Sequence, residues 1–186
     1  MGGSINIESF CALLKSGKTL LYPTDTIWGL GCDATNAEAV EKIYSIKQRV
    51  RTKPLIALVA DATMLTNYVE KIPPDMDEVL KSDLATTIIY PKGKGLAKGV
   101  ISANGSVALR IPRTCFASEL IKAFDKPIVS TSANISDQPI PTSYSDIHPS
   151  ILEQVDEVVP LEKEKVTHLP SRILQLLPDG TFLTLR

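Results

Sequence analysis

Strand-like and helix-like segments alternate early in this chain, and a hairpin pattern closes it. Asn6 can cap a helix over residues 7–15, with Gly17 just beyond its end. An Asn side chain accepts from an orphan amide of the first turn, and Gly takes the left-handed conformation that stops a helix. Residues 19–22 read as a buried strand halted by Pro23, and Asn36 can cap a helix over 37–48 with a rough apolar stripe of Val40, Ile43, Tyr44 and Ile46. Residues 55–60 are a strand, Asp61 caps a short helix, and Pro73-Pro74 open another that ends near Lys81. Strands follow at 86–90 and 107–111 around a Gly/Lys-rich loop, 91–105, then a helix at 115–124, a strand at 127–129 and a polar loop at 130–141. Residues 173–177 and 182–185 form a hairpin across Pro178-Asp179-Gly180. This order implies one α/β domain over residues 1–186, a twisted mixed β-sheet flanked by helices.

Composition narrows the function classes. Lys+Arg total 20 against 21 Asp+Glu, so overall charge selects no partner and only local clusters count. No apolar run is long enough to span a membrane, and the first residues carry neither a charged segment nor an apolar one, so the expected location is cytoplasmic, without membrane association. Cys11, Cys32 and Cys115 lie far apart, as reduced, buried thiols do. Neither His148 nor His168 has a ligand-spaced partner, and no HExxH, GxGxxG or GxxxxGK[ST] run occurs, so no protein-held metal is expected. Any chemistry has to run through cations and hydroxyls.

Four segments carry such groups. In Tyr22-Pro23-Thr24-Asp25-Thr26-Ile27-Trp28-Gly29-Leu30-Gly31 a strand runs into two hydroxyls around a carboxylate, then glycines. This is either a ligand turn at a strand end or a tight turn in which Asp25 bonds local backbone. Lys47, Arg49, Arg51 and Lys53 set four cations within seven residues at a helix end, either a solvated, dipole-favoured face or a polyphosphate clamp. Ser130-Thr131-Ser132-Ala133-Asn134-Ile135-Ser136 is either a turn cluster or a hydroxyl-lined cradle. Arg110 interrupts the apolar strand Val107-Ala108-Leu109-Arg110-Ile111-Pro112, and Arg113 follows closely. Strand alternation puts Arg110 on the face of Ala108 and Pro112, opposite Leu109 and Ile111, and so toward solvent or a cavity.

In this order the segments resemble the YrdC family, with its P-T-[DE]-T-x-[YW]-G-L-G turn, K-x-R…K-P-L segment, V-A-[VL]-R-[IV]-P strand and S-T-S-A-N-x-S loop. Pro170-Ser171-Arg172-Ile173-Leu174 is a fainter echo of a fifth segment, P-S-T-V-V. The resemblance implies a twisted α/β sheet around a positively charged cavity. It also implies the joining of L-threonine, bicarbonate and ATP into threonylcarbamoyl-AMP with release of pyrophosphate, a nucleotidyl transfer. The product feeds a transfer machinery that makes N6-threonylcarbamoyladenosine (t6A) in tRNA, and Mg²⁺ would arrive with the nucleotide. It puts Thr26, Arg110, Ser130 and Ser171 near threonine, and Lys47, Arg49, Lys53, Ser106, Ser132, Asn134 and Arg186 near ATP, with Lys47 and Arg49 as the catalytic cations. The chain departs from the pattern at Val50, Leu58 and Asp137, where the family commonly has Pro, a threonine-contacting His in one branch, and Gly. Two other readings stay open: a double-stranded RNA or tRNA binding module using the cations of 47–53 and 92–98, and a paralogue that adenylates a different carbamoyl compound.

Overall fold

The computed structural model describes residues 5–73, 76, 79, 82, 84–166 and 169–186. Helix α1 (Ile7–Lys15) buries Phe10, Cys11 and Leu14, one stripe of a 3.6-residue period. Asn6 makes no side-chain cap there; its carbonyl instead accepts from the Ser9 hydroxyl. Helix α2 (Ala37–Ile46) is capped as expected by Asn36, whose side chain accepts from Ala39 N–H, but it stops short of residue 48 because Gln48 turns into the left-handed region. Asp61 caps α3 (Ala62–Thr66) through the Met64 amide. The helix expected from Pro73-Pro74 to Lys81 lies largely outside the described residues. Helix α4 (Phe116–Phe124) buries Phe116, Ala117, Leu120, Ile121 and Phe124 and packs on α1, where the Phe10 and Phe116 rings meet edge to face at 5.7 Å. Helix α5 (Pro149–Gln154) has Pro at its start, and no sequence signal had been assigned to it.

The strands form two mixed sheets rather than the single one expected. The first runs β7 (Thr131–Ser132), β2 (Gly29–Gly31), β1 (Leu20–Tyr22), β8 (Glu157–Val158). The second runs β10 (Phe182–Thr184), β9 (Arg172–Leu176), β4 (Thr86–Tyr90), β5 (Val107–Arg110), β3 (Ile56–Leu58), β6 (Ile128–Val129). The chain changes sheet at Ser130: β6 pairs with β3 in one sheet, β7 with β2 in the other, and the Ser130 amide donates to the Ile56 carbonyl at 2.8 Å. Gly31 permits this crossing. A Cβ there would overlap the Val129 carbonyl oxygen, so only glycine lets the first sheet approach so closely. The Tyr22 hydroxyl donates to the same carbonyl at 3.0 Å, which removes an orphan acceptor at the crossing.

Candidate active site

A cavity of about 260 Å³ opens where the two sheets meet. Its floor is one face of the six-stranded sheet. Thr87 and Ile89 of β4 and Ala108 and Arg110 of β5 point into it, while Ile88 and Leu109 turn the other way into the core. The period of two assigns Arg110 to this face, as the sequence had led us to expect. The rim comes from Thr24, Thr26 and Gly29 of the first turn, Arg49 and Pro54, Ser130 and Ser132, Pro170 and Ser171, and Arg186. Residues from all four sequence segments therefore converge on one cavity.

Arg110 is 5% exposed and Asp25 7%, and they form an ion pair with Nη1 2.7 Å from Oδ1. The second carboxylate oxygen of Asp25 accepts from the Arg113 amide at 3.1 Å. Of the two readings of this turn, the tight turn with Asp25 on local backbone does not hold: both Asp25 oxygens bond distant groups on the β5 side, and Thr24 makes the local bonds instead. Beside it, the Thr24 hydroxyl donates to the Ile27 carbonyl at 2.7 Å, so the 3.0 Å contact between the two threonines is donated by Thr26. The Thr26 oxygen keeps its lone pairs for a donor in the cavity. Across the floor, the Thr87 and Ser171 hydroxyls bond at 2.8 Å, and Arg186 forks onto the Ser171 carbonyl through Nε and Nη2.

Four residues expected at the nucleotide, Lys47, Lys53, Ser106 and Asn134, are not on the cavity wall. Lys47 is 1% exposed, and its ammonium donates to the Ser132 carbonyl at 2.5 Å, the Asn134 carbonyl at 2.7 Å and Asn134 Oδ1 at 3.3 Å. Burial, and then the charge of Arg49, push its pKa down to about 7. It clasps the serine-rich loop from behind instead of facing a phosphate. Lys53 pairs with Asp137 at 2.6 Å on the surface. Ser106 follows the 91–105 loop just before β5, bonded to the Ser102 hydroxyl and the Asn104 side chain. Asn134 stands one layer back, with Oδ1 accepting from Ser132 Oγ. Arg49 does line the cavity, folded over its own loop by bonds to the Lys53 and Pro54 carbonyls.

Thr87 and Asp25 are the residues of this site that are least legible in the sequence. Thr87 reads as one more β-branched residue in a strand, with no local signal. Asp25 had a signal, a carboxylate between two threonines, but its partner lies 85 positions away. Among the described residues no three His, Cys, Asp or Glu side chains cluster as metal ligands, and no helix is long and apolar enough to cross a membrane.

Comparison with known proteins agrees with the fold. The Sua5/YciO/YrdC family model, described as "Telomere recombination", matches residues 12–186. A threonylcarbamoyl-AMP synthase of Pseudoalteromonas translucida is 34% identical over 159 residues, 83% of this chain and 85% of the relative. The crystal structure of P. abyssi Sua5 complexed with L-threonine superposes with a TM-score of 0.86 at 27% identity, covering 97% of this chain and 53% of that one. The chain thus spans about half the length of that solved relative. E. coli YciO, at 21% identity and a TM-score of 0.80 over 97% of this chain and 87% of its own, shares the fold.

Proposed function

The chain belongs to the Sua5/YciO/YrdC family, and on that premise we propose that it joins L-threonine, bicarbonate and ATP into threonylcarbamoyl-AMP, releasing pyrophosphate, for t6A formation in tRNA. The observation that carries this reading is the convergence of Thr26, Arg49, Arg110, Ser130, Ser132, Ser171 and Arg186 on one cavity. A buried arginine beside hydroxyls suits a small amino acid, because a guanidinium meets a carboxylate in a planar two-bond fork and hydroxyls take up the amine and side-chain oxygen. Two further arginines and the loop of Ser132 suit the phosphates of a nucleotide. The names of the relatives supply the substrate class.

The chemistry asks for position and charge more than for a covalent intermediate. The threonine amine adds to bicarbonate with loss of water and gives a carbamate. A carbamate oxygen then forms a bond to the α-phosphorus of ATP, the bond from that phosphorus to the bridging oxygen breaks, and pyrophosphate departs with the electron pair. Arg110 holds the threonine carboxylate, with Thr26, Ser130 and Ser171 around the rest of the amino acid. Arg49 and Arg186 offset charge on the phosphates, and Ser132 bonds an oxygen of the nucleotide. Lys47, with Asn134, keeps the loop of Ser130 and Ser132 in place. Lys53 reaches the phosphates only by leaving Asp137. Mg²⁺ enters as the counter-ion of the nucleotide substrate. The test is pyrophosphate release with threonine, bicarbonate or ATP omitted in turn. Release that needs all three is expected, and equal release without threonine overturns the reading in favour of another carbamoyl acceptor.

A further inference from the structure

The buried pair of Asp25 and Arg110 asks for more explanation than a fold contact. A cation nine-tenths or more removed from water needs a partner, and Asp25 supplies it. Yet the partner takes only one N–H, from Nη1, and among the described residues the Arg110 side chain makes no other hydrogen bond. Arg110 lines the cavity wall and Asp25 does not, so the guanidinium donors that Asp25 leaves unused are available to a ligand there. Asp25 itself cannot swing with its partner. Its other oxygen is tied to the Arg113 amide, and its chain neighbours Thr24 and Thr26 are locked in their own hydroxyl-to-backbone turn.

We propose that Asp25 is a positioning residue of the amino-acid subsite, one that fixes the Arg110 guanidinium in advance so that its outward N–H groups meet the substrate α-carboxylate as a fork. This rests on the reading of the cavity given above. An arginine that must be ordered on binding lowers affinity, and one already ordered does not. Asp25 also lowers the net charge of the subsite. Arg110 then retains no ligand by charge alone, and a carboxylate is held when it matches the geometry of the fork.

The test is steady-state kinetics with threonine and ATP titrated separately, beside calorimetric binding of threonine alone. Asp25→Asn keeps the shape and loses the charge. The expected result is a Michaelis constant for threonine raised about tenfold, with that for ATP within about twofold of the parent. In the background of Arg110→Lys, where no fork can form, adding Asp25→Asn should raise the threonine constant by no more than about twofold. A merely structural ion pair predicts otherwise: a lower active fraction, both constants unchanged, and effects that multiply. Unchanged constants, or effects that multiply, overturn the proposal. Should Asp25→Asn fail to fold, Asp25→Glu, which keeps the charge but displaces it, carries the same test; parental constants for both substrates would overturn the proposal. A parent protein that neither binds threonine nor releases pyrophosphate overturns the reading of the cavity, and the role of Asp25 with it. A parent that does both, with Asp25→Asn unchanged, overturns the role of Asp25 alone.

Discussion

Lys47 shows how far one residue can be read from sequence. Its place in a basic cluster was plain, but which of the cations would face the cavity was not, because that depends on the oxygens of Ser132 and Asn134 far along the chain. Its role now predicts a pH effect. Burial holds the folded pKa near 7 against the ordinary 10.5, so above neutrality the unfolded chain binds the extra proton and stability rises with pH. Tyr22, Tyr90 and Cys32, whose pKa values burial raises, act in the opposite sense once their unfolded forms ionise. The clean window is therefore pH 7 to about 8.5. Urea denaturation of the parent should show a gain on the order of 1–2 kcal/mol across it. Lys47→Met should lose that gain and be less stable by about 1–3 kcal/mol, since it leaves buried carbonyls unpaired. Arg49 predicts a different outcome. Arg49→Ala should lower turnover per ATP roughly ten- to a hundredfold, the loss of about 1.5–3 kcal/mol of charged hydrogen bonding, with thermal stability little changed. Parental ATP kinetics in that variant would return Arg49 to the role of a surface cation.

The elements that sequence revealed were those whose reasons are local: the caps at Asn36 and Asp61, the stripe of α2, and the closing hairpin, which pairs Phe182 with Leu176. Those it hid are short strands with distant partners. Gly29–Gly31 has no strand propensity, and it becomes β2 because β1 and β7 flank it. The glycines of that strand give a paired prediction. At Gly31 a new methyl group meets the Val129 backbone carbonyl, which cannot move without breaking the sheet crossing. Gly31→Ala should cost at least the upper end of the ~1–3 kcal/mol typical of overpacking, read as a lower urea midpoint. At Gly29 the methyl would lie 2.9 Å from the Ser130 hydroxyl, which can rotate away. Gly29→Ala should keep most of its stability while its Michaelis constant for threonine rises. Equal stability losses in the two variants would contradict the close-approach argument.

Across the whole molecule the site is assembled from both ends of the chain, and one carboxylate shows how those ends are held. Asp156 accepts from the Thr19 amide at 2.8 Å and hydroxyl at 2.9 Å, and from the ammonium groups of Lys42 and Lys18, where β1 meets β8. Burial alone would raise its pKa, but the Thr19 amide, Lys42, the Thr19 hydroxyl and Lys18 hold it well below the usual carboxylate range. Its contribution is present above the unfolded value near 4 and is lost as pH falls through the folded value. Asp156→Asn should therefore be less stable than the parent at pH 7, and the difference should shrink at pH 3 in urea titrations. A difference independent of pH would remove the charge from the explanation. The parallel pairing of β1 with β8 and of β4 with β9 has a consequence in time as well. Contacts between segments so far apart in sequence form only after large loops close, which slows folding relative to a helical bundle of the same length. On the ribosome the chain cannot complete its cavity until Ser171 and Arg186 have emerged. Until then β1 and β4 each lack a parallel neighbour, and a nascent chain stalled before β8 would display two open strand edges to whatever chaperone meets it.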